Sequence, residues 1–491
     1  MEVGRRPTET EPPHIAILPS PGMGHIIPLF QLANLLVTRH HLHVTFLVIT
    51  TTDPAPAAQT NLLRSSTVPS GLHVIDLQPV DVSKLLAGVP PGLTPLCVMV
   101  EHSLRLHLRP VLLGLARVTA LVIDLFCTQA FEICRELSVP VYSFFTASTA
   151  LLTFSLYLPT LDRETDGEFV DLPEPVRVPG CRPIRTDDLL DQVRVRKSDE
   201  YKWFFLHVSR IHKAAGIFAN TWSDLEPVPL LALNQNPFYR NIPTPPVHPV
   251  GPLVREEDPY TESDAEVLTW LDKQKPDSVL FVALGSGGTL SSKQLTELAF
   301  GLELSQQRFI LVARRPNDAS AMGDFFSAGS SGEDDPVAYL PEGFVKRTER
   351  VGLVVKSWAP QAAVLRHAST GGFLSHCGWN STLESVYNGV PMIAWPMYAE
   401  QRMNATHLAE EVGVAAKPVV EPWKEVVGRE EVERVVRLVM EGEEGKVLRH
   451  RAKELRDRAQ IALDFGGSSC DSLAGVVEAW KFQHKAALEA S

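Results

Sequence analysis

Short apolar runs rich in β-branched residues recur along this chain, and most are followed by a stretch with helical spacing. Residues 14–19, 44–49, 72–77 and 120–123 are too short for helices yet almost wholly apolar, as strands buried on both faces are. Residues 29–38 carry the amphipathic spacing of a helix. Strand and helix signals in alternation imply a parallel sheet covered by helices. The pattern then starts again. Residues 278–284, 309–313, 352–356, 372–374 and 391–395 read as strands, and 293–304, 361–367, 381–388 and 400–412 as helices. Between the two series, residues 236–259 are crowded with prolines and read as a linker. The expected fold is α/β, with two Rossmann-like domains facing each other across a cleft. Their expected limits are 14–250 and 264–491, joined by 251–263, after a disordered N-terminus at 1–13. The last helix is expected to pack back on the first domain. Residues 315–335, rich in Ser, Gly, Asp and Ala, read as a long surface loop.

Composition narrows the function classes. A length of 491 residues suits two large domains. Apolar residues make up 44% and charged residues 21%, which excludes disordered, collagen-like and coiled-coil chains. The net charge of −12 offers no general attraction for nucleic acid or anionic lipid, and leaves room for a local site that holds one small anion. The six cysteines form no CxxC pair and no zinc-type cluster, so reduced, mostly buried thiols, no metal and a cytoplasmic location are expected. Residues 1–13 carry two Arg with no apolar core behind them, unlike a secretory signal. Residues 137–161 lack charge over a length that can cross a bilayer, about 20 residues. They hold eight Ser/Thr and two prolines, which fit a buried strand and helix better, so no membrane span is expected.

The candidate chemistry lies at strand ends, where doubly wound sheets bind ligands. Pro21-Gly22-Met23-Gly24-His25 follows the first strand and opens the first helix, without the third glycine of a dinucleotide fingerprint. At a helix N-terminus the dipole disfavours imidazolium, which would keep His25 able to accept a proton. The motif by itself suits a base and a helix-capping His equally. Asp124 closes the fourth run on the same sheet edge. A carboxylate there can hold the imidazole tautomer and stabilise the imidazolium as it forms, although alone it reads better as a helix N-cap. No GxSxG elbow is present, so a His–Asp pair would activate a substrate hydroxyl directly.

In the second half, Gly285-Ser286-Gly287-Gly288-Thr289 lies between a strand and a helix. Small residues there let main-chain N–H groups approach a phosphate, and a plain tight turn explains them as well. Residues 358–401 hold three more junctions. Trp358 offers an indole face to a planar base, and Gln361 an amide to its edge. His376, Asn380 and Ser381 lead into a helix and make a phosphate-binding set with little positive charge. Glu384, one turn on, can accept from ribose hydroxyls. Tyr398, Glu400 and Gln401 suit a polyhydroxylated sugar.

The run from Trp-Ala-Pro-Gln at 358–361, through His-Cys-Gly-Trp-Asn-Ser-Thr-Leu-Glu at 376–384, to Glu-Gln at 400–401 resembles the signature box of plant family 1 UDP-sugar-dependent glycosyltransferases. The likeness extends over residues 14–480. The PGMGHIIP opening, the GSGGTLS turn and the SWAPQ segment look most like the hydroquinone (arbutin synthase) and monolignol group. The resemblance implies a GT-B fold and an inverting, UDP-glucose-dependent glucosyltransferase of small phenolic or flavonoid acceptors, acting mainly on oxygen. C-glucosylation of the same acceptors is the first alternative, with N- or S-glucosylation beside it. A non-catalytic nucleotide-sugar-binding protein and a nicotinamide oxidoreductase are more distant ones.

The resemblance also implies roles. His25 is the general base and Asp124 its partner. Ser286, His376, Asn380 and Ser381 contact the diphosphate, Trp358 stacks on uracil with Gln361 beside it, and Glu384 binds ribose. Trp379, Glu400 and Gln401 contact the hexose, and Gln401 points to glucose, where His in that position goes with galactose. Gly24, Ala359, Gly378 and Tyr398 complete the donor set. No metal is implied, and the enzyme is expected to work as a monomer. The acceptor pocket is expected from residues 80–104 and 142–158.

Overall fold

The computed structural model describes residues 12–52, 57–64, 68–90, 92–255, 262–321 and 335–489. Most of the expected N-terminal tail, residues 256–261 of the linker 251–263 and most of the loop 315–335 lie outside the described residues.

The first sheet contains β1 (His14–Leu18), β2 (His43–Val48), β3 (Leu72–Asp76), β4 (Val118–Asp124), β5 (Val141–Phe145), β6 (Gly216–Ala219) and β7 (Val247–Pro249). Its strands are parallel and ordered β3-β2-β1-β4-β5-β6-β7. The second contains β8 (Val279–Ala283), β9 (Arg308–Ala313), β10 (Gly352–Lys356), β11 (Thr370–Ser375), β12 (Met392–Ala394) and β13 (Ala415–Ala416). It is also parallel, ordered β10-β9-β8-β11-β12-β13. These are two Rossmann-like sheets, as expected. In each, the direction of winding reverses beside the first strand, between β1 and β4 and between β8 and β11. Helices on opposite faces leave a crevice at such a point, outside the strands' carboxyl ends.

The strands lack alternation because both faces are covered. Ile15 to Leu18 and Val279 to Ala283 are buried throughout. In the second core Phe281 stacks on Phe373 across β8 and β11, with ring centres 5.1 Å apart. The two halves also exchange anchors. Trp222, just past β6, is fully buried in the second half's core. Trp480, on the last helix (Ser468–Glu489), is fully buried in the first half's core, edge-on to Tyr142 at 5.2 Å. Burying a large apolar side chain contributes about 2–3 kcal/mol, so each anchor is a substantial link.

Two segments differ in detail from the sequence reading, and a third follows it. The proline-rich stretch is not linker from its start. Asn236 caps the helix Pro237–Asn241 through the Phe238 N–H at 2.9 Å, and β7 follows as the sheet's edge strand. Proline is tolerated at an edge, where no ladder needs its missing donor. The helix read at 400–412 is α-helical over Gln401–His407 and closes with a π-turn at Leu408–Val412. The uncharged stretch 137–161 becomes β5 and the helix Thr149–Glu164, capped by Ser148. Among the described residues, no helix is long and apolar enough to cross a membrane.

Candidate active site

Both crevices open into one cavity of about 270 Å³. At the first, Gly22 takes φ 109, which turns the chain from β1 into the helix Met23–Thr38 and puts His25 in its first turn. Asp124 ends β4 and is fully buried. His25 Nδ1 lies 2.9 Å from Asp124 Oδ2. Oδ1 accepts from the Ser20 hydroxyl at 2.7 Å and from the Phe126 N–H at 3.0 Å. The Thr146 hydroxyl donates to Oδ2 at 3.2 Å. No helix starts at Asp124, since the next is Ala130–Glu136, so the capping alternative fails. The carboxylate is fixed on both oxygens and engages Nδ1, which leaves Nε2 as the ring nitrogen for a ligand.

Burial is the largest single influence on both partners and opposes their charges. For His25 it pulls the pKa down, but the charge and hydrogen bond of Asp124, with Glu400 adding, win and raise it. For Asp124 burial pushes up, and His25, Phe126 and Ser20 together hold it below its ordinary value. The helix dipole, expected to keep the ring neutral, is thus outweighed by a carboxylate in contact.

At the second crevice, Gly285 follows β8 with φ +74, and a Cβ there would lie 2.5 Å from the His376 ring. A Cβ at Gly378 would lie 2.4 Å from His376 Nε2. His376 therefore fits only between glycines. Burial, then the nearby Arg314, bring its pKa down to about 4, so it meets a ligand as neutral imidazole. Its buried Nδ1 has no hydrogen-bond partner among the described residues. Gly378 precedes the helix Trp379–Tyr387, whose first turn lines the cavity with Asn380 and Ser381.

Trp358 and Ala359 line the cavity past β10. Gln361 donates its amide to Ser381 Oγ at 2.9 Å and Glu384 Oε2 at 2.5 Å, which joins three predicted residues. Trp379 lines the cavity too, but its indole N–H donates to the Asn220 carbonyl at 2.9 Å and is not free for a ligand. Gln401 Oε1 accepts from the Met397 and Tyr398 N–H groups at 2.9 and 3.1 Å, which leaves its NH₂ as the outward donor. Burial raises the pKa of Glu400. Ser286, Gly24 and Tyr398 also line the cavity, so every predicted donor-side residue shares it with His25, and Asp124 stands behind the ring.

Sequence reasoning missed Arg314. It follows β9, donates to the Ser286 carbonyl at 2.8 Å and the Ser357 carbonyl at 3.3 Å, and lines the cavity. It brings a cation to a place where only dipoles were expected. Its position one residue past a parallel strand was the available signal. The predicted acceptor segments supply Leu93, Leu96, Ala147 and Leu151. Leu125, Phe126, Leu190, Gln192 and Phe204 were not foreseen. Phe126 meets His25 edge-on at 5.5 Å.

Residues 340–449 match the family described as UDP-glucoronosyl and UDP-glucosyl transferase. The chain is 46% identical over 471 residues to hydroquinone glucosyltransferase of Rauvolfia serpentina, covering 96% of this chain and 98% of that one. Its fold superimposes on TcCGT1 in complex with UDP with a TM-score of 0.90 at 44% identity, over 96% of this chain and all 100% of that one. It also matches Phytolacca americana UGT2 complexed with UDP-2fluoro-glucose and pterostilbene, with a TM-score of 0.83 at 42% identity over 95% of this chain and 99% of that one. The chain belongs to the plant family 1 UDP-glycosyltransferases, enzymes of the two-domain GT-B fold that use a UDP-sugar donor.

Proposed function

We propose that this enzyme transfers glucose from UDP-glucose to a hydroxyl of a small phenolic or flavonoid-type acceptor, with inversion at the anomeric carbon. One observation carries the reading: His25, backed by Asp124, shares a cavity with the full set from Trp358 to Gln401, and the walls nearest His25 are apolar and aromatic. Such walls suit a flat phenolic ring. The relative from Rauvolfia serpentina, named for hydroquinone, and the neighbour bound to pterostilbene support the same acceptor class.

In the proposed step, His25 Nε2 takes the proton of the acceptor O–H. The oxygen forms a bond to the anomeric carbon as the bond from that carbon to the diphosphate oxygen breaks, and UDP leaves with the electron pair. Asp124 stabilises the imidazolium that forms. The helix N-terminus at 379–381, neutral His376 and the turn at Ser286 receive the developing charge, with Arg314 adjacent. Trp358 and Gln361 hold the base, Glu384 the ribose, and Glu400 and Gln401 the sugar. Residues 14–250 serve as the acceptor domain and 264–491 as the donor domain, joined by 251–263. The reaction is proposed to need no metal. One chain supplies the whole set, which supports work as a monomer, and all six cysteines are unpaired, which supports a cytoplasmic setting.

The test is a panel of phenols with UDP-glucose and other UDP-sugars, followed by acid hydrolysis of the products. Preference for UDP-glucose and acid-labile products are expected. Products that survive acid would show attack by carbon in place of oxygen, and no turnover with any phenol would overturn the acceptor class.

A further inference from the structure

The turn that carries Glu400 and Gln401 is gripped from the first half chiefly through Asp191, with the Leu189 carbonyl also accepting from Arg402 Nη1 at 3.5 Å. Asp191 opens the one-turn helix Asp191–Val193. Its N–H donates to the Ala399 carbonyl at 3.2 Å, and its Oδ2 accepts from the Ala399 N–H at 2.7 Å. Its Oδ1 pairs with Arg402 Nη2 at 2.7 Å. Arg402 is buried and lies over the Trp423 ring at 5.5 Å. These contacts hold the turn on both sides of Glu400 and Gln401. Ala399 sits at φ 55, a left-handed conformation that costs energy in a non-glycine residue, so the turn needs outside support. The neighbours of Asp191, Leu190 and Gln192, line the acceptor side of the cavity, whereas Asp191 does not. One carboxylate thus fastens the surface an acceptor rests on to the turn a sugar rests on.

We propose that Asp191 is a positioning residue that fixes turn 399–402 against the acceptor wall, aligns donor sugar with acceptor, and keeps water from the join. This rests on the reading that Glu400 and Gln401 hold the donor sugar. With the clasp loosened, water competes: its oxygen bonds to the anomeric carbon, the bond to the diphosphate oxygen breaks, UDP leaves with the electron pair, and the water proton passes to His25.

The test compares wild type, Asp191→Ala, Asp191→Asn and Lys424→Ala for glucose transfer to a phenol, UDP-glucose hydrolysis without acceptor, and UDP affinity by calorimetry. Lys424 makes a neighbouring ion pair across the same seam, with Asp187 at 2.6 Å, and does not line the cavity. Asp191→Ala is expected to lower transfer kcat by about tenfold to a hundredfold, the scale of a misplacement near 1 Å, and to raise the share of donor lost to water. UDP affinity stays at the wild-type value. Asp191→Asn, which keeps an acceptor for Ala399 but loses the ion pair, falls between. Lys424→Ala behaves as wild type. The proposal is overturned if Asp191→Ala transfers and hydrolyses like wild type, if UDP affinity falls in step with the rate, or if Lys424→Ala does the same damage. Gln401→Ala separates the two readings. A wild-type KM for UDP-glucose in that variant removes the sugar site and the proposal with it. A raised KM beside a wild-type-like Asp191→Ala overturns the proposal alone.

Discussion

Asn380, in the first turn of the helix Trp379–Tyr387, donates its side-chain amide to the carbonyl of Gly24, one residue before His25, at 2.8 Å. The donor-site helix and the base-bearing helix are joined near their N-termini. Two positive dipole ends converge there, an arrangement that favours an anion between them. Asn380→Ala removes the link and leaves the Gly24 carbonyl without it. One such hydrogen bond contributes about 1 kcal/mol, so kcat/KM for the UDP-sugar should fall by roughly fivefold to tenfold. Steady-state kinetics beside a thermal melt checks this, with little change expected in the melt.

The pH profile tests the His25–Asp124 pair. His25 must be unprotonated to take a proton, and its pKa is raised above the ordinary 6.5. The acid limb of kcat/KM should therefore lie above that value, with activity rising as pH rises through it. Asp124→Asn removes the charge that raises it and leaves burial to pull it down, so the limb should move to lower pH. The plateau should still fall, by up to about 10⁴-fold, because an amide donating to Nδ1 holds the ring in the tautomer with its proton on Nε2, where the base must accept. A limb that stays in place would show that another group sets it.

Gly285 is required by its neighbour. Gly285→Ala puts a methyl 2.5 Å from the His376 ring and forces φ +74 on a residue with a Cβ. The conformation alone costs about 1–2 kcal/mol. The melting temperature should fall, and the Kd for UDP should rise by about tenfold or more as His376 is displaced. Calorimetry on the folded variant measures the second effect directly.

Arg314→Gln tests the cation that no motif announces. It removes the charge beside His376 and the grip on the Ser286 and Ser357 carbonyls. UDP affinity should fall by about tenfold, the scale of a charge-assisted contact, with the KM for the phenol unchanged. Titration with UDP at low and high salt checks it, and the difference from wild type should shrink as salt screens the charge.

Much of the donor site was legible because parallel sheets send successive strand ends to one edge. Once 358–401 reads as three strand–helix junctions, Trp358, His376 and Gln401 must come together. Side chains brought from remote segments without a motif were not legible. Phe204 comes from the helix Asp199–Val208, Gln192 from a one-turn helix, and Arg314 from a plain strand end. The upward direction of the His25 pKa shift was not legible in the helix position alone. The dipole is local and visible in sequence, whereas the carboxylate that outweighs it lies 99 residues away. Proline content marked where regular structure weakens, yet an edge strand accommodates it, so β7 was hidden inside a presumed linker.

The most direct measurement is transfer from UDP-glucose to a phenol by His25→Ala, with UDP affinity determined on the same preparation. The rate should fall by about 10²–10⁴-fold, the contribution of a positioned general base, while UDP binds as in wild type. Transfer at the wild-type rate would contradict the account, because the cavity would then hold both substrates without needing the group proposed to join them.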